Sequence, residues 1–277
     1  MYGTVIVPVD GSRLAEAALG PATVLAKRCN AVMLLLSVVD DRRQRDARGR
    51  YLDGLAAEIT EAPAKCRVAF DVEPGPAIAG AAREHDRAIV CMSTHGRGGV
   101  ARVLLGSVAE DVLRRVTRPA LLVGPHTRPD ASPVAGRLMV CLDGSDHGEA
   151  ILPLAVEWAR QFAMELYIVQ VLDPDLQRQL RAAHVPGGDV REDAYLMRVA
   201  RGLRDEGVTV DWEVLHGTRP AEAIIDHARH RDVSVVALST HGRTGLRGIA
   251  IGGVARHVVH DNPSLALVLR AMAPDAD

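Results

Sequence analysis

Short apolar runs alternate with longer segments of helical composition along most of the chain. The first apolar run, residues 4–9, has too few polar residues to alternate, which is typical of a parallel strand covered on both faces. Asp10-Gly11-Ser12 ends this run. Ser12 is a suitable helix N-cap, and residues 14–29 are rich in alanine and leucine. The pattern therefore predicts a strand followed directly by a helix.

The same alternation continues through the first half of the chain. It predicts further strands at residues 31–39, 66–72, 88–92 and 119–123, with helical segments within 41–62, 77–85 and 108–116. Residues 124–136 then contain three prolines and few apolar side chains, which indicates a linker. We divide the chain into a first domain at 1–125, a linker at 126–136 and a second domain at 137–277.

The pattern restarts after the linker and repeats recognisable landmarks. Asp10 and Asp143 each follow the first strand of a half and lie 133 positions apart, and Asp40 and Asp173 keep the same spacing. His95 and His241 lie 146 positions apart. These two spacings indicate an internal duplication in which the second copy carries 13 additional residues. We expect most of them within residues 174–193.

The order of elements in each half predicts the fold class. Strands that alternate with helices favour α/β architecture, with two tandem doubly wound, five-stranded parallel-sheet domains of Rossmann-like type and right-handed crossovers. Pro21 and Pro153 interrupt the helix after the first strand of each half, so we expect a kink or an offset start there. Ligands of such sheets bind beyond the carboxyl ends of the strands.

Composition and charge argue against several classes of partner. A net charge of −2 and a pI near 6.6 provide no field that would attract nucleic acid or an acidic membrane. The four cysteines have no CxxC or Cys/His metal spacing, and no apolar run approaches the roughly 18 residues of a membrane helix. No secretory leader pattern opens the sequence. We expect a reduced, cytoplasmic protein without a metal, nucleic-acid partner or membrane partner.

A candidate phosphate-binding loop occurs twice, as STHGRGGVARVLLGS at residues 93–107 and as STHGRTGLRGIAIGG at residues 239–253. Its glycines allow positive φ and close approach, and the amides at Gly106 and Ser107 open a helix whose dipole favours an anion. We expect phosphates at this loop and a base or ribose at the Asp10 carboxylate. The alternative is that the glycines form a plain turn and that Asp10 only caps the next helix.

This arrangement resembles the universal stress protein family in its tandem two-domain form. The nucleotide motif of that family is Gly, two residues, Gly, nine residues, Gly, then Ser or Thr. Residues 93–107 match it except at Ser93, whereas residues 239–253 depart from it at Ser239 and Gly253. The resemblance implies five parallel strands in each half, ATP as the ligand, with or without magnesium, and pairing of the two halves through their last strands.

The resemblance assigns nucleotide contacts to both copies. In the first copy they are Val9, Asp10, Val38, Ser93, Gly96, Gly106, Ser107 and Val108. In the second copy they are Leu142, Asp143, Val171, Ser239, Gly242, Gly252, Gly253 and Val254. Because Gly253 lacks the hydroxyl of Ser107, we expect the first copy to bind more tightly.

Arginines and histidines near the loops invite further roles. Arg97 and Arg243 either pair with bound phosphates or point into solvent. His95 and His241 are interpreted as loop-ordering residues, because no nucleophile or relay stands at a catalytic spacing from them. His257 and His260 are attributed to the negative pole of the last helix.

The leading functional hypothesis is an ATP-binding regulator of the stress response without strong catalysis. One alternative is a slow ATP-hydrolysing enzyme, although the Walker A pattern is absent from the sequence. Another is an interaction scaffold whose nucleotide sites are vestigial. Residues 119–123 and 264–268 are apolar candidates for the strands that pair, and we also expect a homodimer of tandem chains.

Overall fold

The computed structural model describes residues 1–96, 105–175, 192–240 and 251–270. Its first half contains five strands, with bounds β1 Thr4–Pro8, β2 Val32–Val39, β3 Ala64–Phe70, β4 Ala88–Ser93 and β5 Ala120–Val123. The helices between them are α1 Arg13–Glu16, α2 Leu19–Cys29, α3 Arg45–Glu58, α4 Pro74–Arg83 and α5 Ser107–Arg115, with a 3-10 turn at Arg42–Gln44. The predicted elements of this half are present, and the third strand begins two residues earlier than expected.

The second half repeats this order. Its strands are β6 Arg137–Leu142, β7 Glu165–Leu172, β8 Val210–His216, β9 Val233–Ser239 and β10 Leu265–Leu269. Its described helices are α6 Asp146–Glu149, α7 Leu152–Phe162, α8 Ala194–Asp205, α9 Pro220–His230 and α10 Gly253–Asp261. Most of the stretch at 174–193, where we expected the additional residues, lies outside the described residues. No helix in the described ranges is both long and apolar enough to span a membrane.

All ten strands join one sheet in the order β3-β2-β1-β4-β5-β10-β9-β6-β7-β8. Pairing within each half is parallel, which confirms the predicted doubly wound domains. The two halves meet where β5 and β10 pair antiparallel, with Leu121 opposite Leu267. The apolar segments predicted for pairing therefore cover each other's edges.

The sheet is buried on both faces, which explains why its strands read as continuous apolar runs. In β1, Val5 and Val7 belong to one hydrophobic cluster and Ile6 to the other, because successive side chains point to opposite faces. Both clusters contain residues from both halves, such as Leu138 in the first and Val236 in the second. The core is therefore continuous across the seam between the repeats.

Each half begins its first helical segment with a short turn and then an offset. Ser12 caps α1, which ends at Glu16, and a new helix begins at Leu19 with Pro21 in its first turn. The second half splits in the same way, and Pro153 is the second residue of α7. The predicted offset start is confirmed in both halves, since proline is tolerated only in the first turn of a helix.

The segment predicted as a linker packs closely on the second half. The amide of Arg128 donates to the Pro263 carbonyl at 2.8 Å, and the buried Trp158 indole donates to the Pro133 carbonyl at 2.7 Å. Gly124 lies so close to the Val259 carbonyl that a Cβ atom would collide with it. These contacts tie the connection to α7 and to the end of α10.

Candidate functional site

A cavity of about 450 Å³ opens at the carboxyl ends of β1 and β4. Its apolar side is formed by Val9, Leu36, Val38 and Ile78, and its polar side by the segments around Asp10, Gly96 and Ser107. Volumes of this size are typical of small-molecule sites. The structure brings together all the first-copy positions that were predicted and are described: Val9, Asp10, Val38, Ser93, Gly96, Gly106, Ser107 and Val108.

The two carboxylate oxygens of Asp10 have different surroundings. Its Oδ1 atom accepts hydrogen bonds from the Ser12 amide at 2.9 Å and from the Ser12 hydroxyl at 2.6 Å. Its Oδ2 atom faces Gly96, where a Cβ atom would stand only 2.6 Å away. The cap of α1 is Ser12, whose hydroxyl accepts from the Ala15 amide, so Asp10 holds the capping serine and does not cap the helix itself.

The described loop glycines allow neighbouring protein atoms to pack closely against the backbone, and they do not adopt positive φ. Among the described glycines, positive φ occurs at Gly11, Gly136, Gly144 and Gly207, and not at Gly96 or Gly106. Gly106 instead donates its amide to the Thr94 carbonyl at 2.9 Å, and a Cβ atom on it would stand 2.6 Å from that oxygen. Of the glycines expected to allow positive φ or close approach, Gly96 shows close approach without positive φ, and Gly98 and Gly99 lie outside the described residues.

Ser93, Thr94 and His95 form hydrogen bonds to one another where β4 ends. The buried Thr94 hydroxyl lies 2.9 Å from His95 Nδ1, and the His95 amide donates to the Ser93 hydroxyl at 3.3 Å. The serine that replaces the family glycine therefore holds the backbone of the loop. These contacts agree with the loop-ordering interpretation of His95.

Helix α3 contributes two residues that the sequence reasoning missed. Arg48, one of five arginines in the arginine-rich stretch at residues 42–50, donates to the Asp10 carbonyl at 2.8 Å. Tyr51 donates to Glu16 at 2.8 Å, and burial followed by this hydrogen bond raises the pKa of Tyr51 well above its usual value. Together they hold the segment that carries Asp10.

The second copy reproduces the aspartate turn. Asp143 Oδ1 accepts from the Ser145 amide at 3.0 Å and from the Ser145 hydroxyl at 2.6 Å. Gly148 packs against the same carboxylate, and Leu142 is buried beside it. Val171 lies near the end of β7 and is partly buried. The second half therefore has the same aspartate–serine turn at the carboxyl end of its first strand.

The second phosphate-loop turn is more open than the first. A Cβ atom at Gly252 would lie 3.5 Å from the Thr240 carbonyl, and one at Gly253 would meet nothing within 4 Å. Ser239 is buried with no hydrogen-bond partner for its hydroxyl among the described residues, and Val254 is exposed. Arg97, His241, Gly242 and Arg243 lie outside the described residues.

The predicted histidines of the last helix have different surroundings. His257 Nδ1 lies 3.0 Å from the Gly253 carbonyl, one turn earlier, and is not at the helix end. His260 occupies the last turn and lies 2.6 Å from Asp261. The attribution to the negative pole of the helix therefore fits His260 but not His257.

The central cysteines offer no reactive thiolate. Burial raises the pKa of both the Cys91 and Cys141 thiols to about 12. They lie within β4 and β6. Thiols that remain protonated at neutral pH are poor nucleophiles.

Comparison with known proteins gives a consistent picture. The family model described as "Universal stress protein family" matches residues 1–124 and again residues 135–270. Universal stress protein Rv2005c of Mycobacterium tuberculosis is 28% identical over 178 residues, which cover 62% of this chain and 58% of that protein. Universal stress protein Mb2019 of Mycobacterium bovis is 26% identical over 189 residues, covering 66% and 59%. The chain spans less than two thirds of these relatives.

Solved structures support the architecture. A universal stress protein from Archaeoglobus fulgidus is 20% identical, with a TM-score of 0.76 over 98% of this chain and 100% of that chain. The cytoplasmic domain of a prokaryotic cation chloride cotransporter is 14% identical, with a TM-score of 0.53 over 100% and 98%. These likenesses concern the fold alone, because one architecture serves several roles.

Proposed function

Because the chain belongs to the universal stress protein family, we propose that it binds ATP in the cavity of its first repeat and acts as a nucleotide-dependent regulator of the stress response. The observation that carries this proposal is the convergence of Asp10, Gly96 and Ser107 on one cavity of about 450 Å³. A nucleotide needs an apolar wall, polar groups for the sugar or base, and amides for phosphates, and these surfaces meet there.

The residues present fit such a ligand. Gly96 and Gly106 pack tightly against the Asp10 carboxylate and the Thr94 carbonyl, where a Cβ atom would collide, and this compact turn brings the start of α5 to the cavity. Ser107 is the first residue of α5, where the positive end of the helix dipole and a hydroxyl favour an anion. Val9 and Val38 would contact the base, while the Oδ2 atom of Asp10 would accept from a ribose or base donor.

The described groups that line the cavity support the proposal of regulation rather than rapid hydrolysis. Among its described lining residues, Asp10 and His95 are the ionisable ones. Asp10 is engaged by Ser12, and His95 lies against Thr94. We therefore propose turnover slower than about 1 per second, the lower end of ordinary enzymes. Faster phosphate release that depended on His95 would instead favour the ATP-hydrolysing alternative.

The test is a titration of the purified full chain with ATP, by calorimetry, beside a Ser107→Glu variant. Glutamate is compatible with the first turn of a helix, and Ser107 is exposed, so the variant is expected to fold. Its carboxylate would repel phosphate, and we expect ATP affinity at the first site to fall by about 10- to 100-fold.

Gly253→Glu is the matched control, since it places the same charge in the second repeat. It should leave the first site unchanged. Failure of the wild-type chain to bind ATP, or equal first-site binding by the Ser107→Glu variant, would contradict the proposal. Retention of every cellular effect by a folded Ser107→Glu variant that no longer binds ATP would favour the scaffold alternative.

A further inference from the structure

A cluster of two imidazoles and a carboxylate lies where the connection between the repeats crosses the end of α10. The connection contributes His126, and the last two residues of the helix contribute His260 and Asp261. One potential ligand atom from each residue lies within 4.8 Å of the others. His260 Nδ1 is 2.6 Å and His126 Nε2 is 4.0 Å from Asp261 Oδ1, and the two imidazole rings meet edge to face at 5.6 Å.

The surroundings favour a cation at this point. The carboxyl end of a helix carries partial negative charge, and the contact of Gly124 with the Val259 carbonyl keeps the connection against that end. The side chains of His126 and Asp261 are 59% and 42% exposed, so an ion could reach them from solvent. The His260 side chain, at 12% exposed, is held by the fold.

The pseudo-symmetric position in the first repeat shows that the fold does not require these donors. Helix α5 ends in Arg114 and Arg115, which stand 146 positions before His260 and Asp261. Arg270 donates a hydrogen bond to the Arg114 carbonyl there. The pairing of β5 and β10 tolerates two arginines at the end of α5 and a histidine with an aspartate at the end of α10. The histidine and aspartate that could bind a metal are therefore found at the end of α10 and not at the matching end of α5.

We propose that His126, His260 and Asp261 bind a divalent transition-metal ion, for which Zn²⁺ is the best match. Two imidazole nitrogens and a carboxylate oxygen are ligands that Zn²⁺ takes at about 2.0–2.2 Å, with water completing a tetrahedron. Tetrahedral bonds of that length place donor atoms about 3.4 Å apart. Binding would therefore shorten the 4.0 Å distance from His126 Nε2 to Asp261 Oδ1 and lengthen the 2.6 Å distance from His260 Nδ1 to the same oxygen, adjustments that fall on the exposed His126 and Asp261 side chains.

This metal site would be separate from the proposed nucleotide site, and metal binding would not depend on nucleotide binding. His126 and His260 are 134 positions apart, and a bound ion would link the connection to the second repeat. Anything that binds only the folded chain stabilises it, so Zn²⁺ should raise the melting temperature. The ring of His95 lies edge to face with His260 at 5.4 Å, on the side of the first cavity.

The experiment uses the full chain, freed of metal with a chelator and titrated with Zn²⁺ by calorimetry and with Co²⁺ by visible absorption. We expect one site whose affinity falls at least about tenfold in His126→Gln and in Asp261→Asn. His126 is exposed, so its replacement should leave folding intact. His257→Gln, on the same helix but outside the cluster, is the matched control.

The outcomes separate cleanly. Loss of the tight site and of the Zn²⁺-dependent rise in melting temperature in both variants, with retention in the control, would support the proposal. Absence of Zn²⁺ and Co²⁺ binding by the wild-type chain would overturn it. Binding that is equal in wild type and His126→Gln would place the ion elsewhere and would overturn it as well.

Discussion

Ser107 and Gly253 are the first residues of equivalent helices, α5 and α10. The glycine before each has nearly the same extended conformation, with φ −64° and ψ 148° at Gly106 and φ −64° and ψ 159° at Gly252. The two helix starts therefore present their amides alike. What differs at this position is the hydroxymethyl side chain of serine, and the space around Gly253 is open enough to accept it.

The first prediction is that Gly253→Ser strengthens nucleotide binding at the second repeat. A hydroxyl that bonds to a charged phosphate oxygen contributes about 1.5–3 kcal/mol, which corresponds to about 10- to 100-fold in affinity. Two-site calorimetry with ATP measures it, and Ser107→Gly should weaken the first site by a similar factor. Gly253→Ala is the control for helix propensity, and an equal gain from alanine would contradict the role of the hydroxyl.

The second prediction concerns Gly96→Ala. The added Cβ atom would stand 2.6 Å from Asp10 Oδ2, so the loop or the carboxylate must move. We expect a loss of about 1–3 kcal/mol of stability, as in other overpacked sites, and weaker ATP binding at the first repeat. Denaturant unfolding and calorimetry measure the two effects.

Gly49→Ala is the matched control for that change, because nothing lies within 4 Å of its Cβ position in α3. Alanine inside a helix should stabilise the chain by about 0.5–1 kcal/mol. If Gly96→Ala behaved like Gly49→Ala, the close approach of the loop to Asp10 would have no energetic consequence.

The third prediction is that Arg48→Met weakens ATP binding at the first repeat while α3 stays folded. Arg48 donates to the Asp10 carbonyl at 2.8 Å, and methionine keeps the helix propensity and much of the apolar stem. We expect about a three- to tenfold loss of affinity, equivalent to about 1 kcal/mol for one hydrogen bond. Arg50→Met, an exposed change on the same helix, should have no such effect.

The fourth prediction is a dependence of stability on pH that comes from His227. Its ring stacks on Tyr167 with centroids 5.6 Å apart, and burial lowers the pKa of His227 despite the opposing charge of Glu213. The unfolded chain, with a histidine pKa of about 6.5, therefore takes up this proton first as pH falls. The stabilising contribution is present above that pH and is lost as pH falls through about 6.5 toward the lower folded pKa.

Melting temperatures between pH 5 and 8 test this dependence. His227→Gln should show a shallower decline below about pH 6.5 than the wild type, because glutamine takes up no proton. His257→Gln, an exposed change on α10 and not among the charges that act on His227, is the control and should follow the wild-type curve. Parallel curves for the wild type and His227→Gln would contradict the prediction.

Much of the architecture could be predicted because its signals are local. Apolar runs marked the strands, and the repeated spacings of Asp10 and His95 marked the two halves. Apolar character also marked residues 119–123 and 264–268 as candidate edge strands, while their pairing at the seam was implied by the family resemblance. Each of these inferences needed only the composition of one segment or the comparison of two.

The candidate site was less accessible to sequence reasoning because its finer contacts join distant segments. Arg48 reaches the Asp10 carbonyl across 38 positions, and nothing in an arginine-rich stretch distinguishes this member from its neighbours. The loop glycines were predicted to supply positive φ, but the described ones make room for Asp10 and Thr94. Such steric reasons become visible only when both segments are placed.

The antiparallel pairing of β5 with β10 has a consequence for how the two repeats can diverge. In a dimer of identical subunits, every substitution at the shared edge appears on both sides of the axis. Here the covalent connection ensures that each first repeat meets a second repeat, so the two sides can accumulate different residues. Arg114 on one side and His260 on the other are such a pair. Fusion thus lets one chain specialise its halves without the need to select a correct partner.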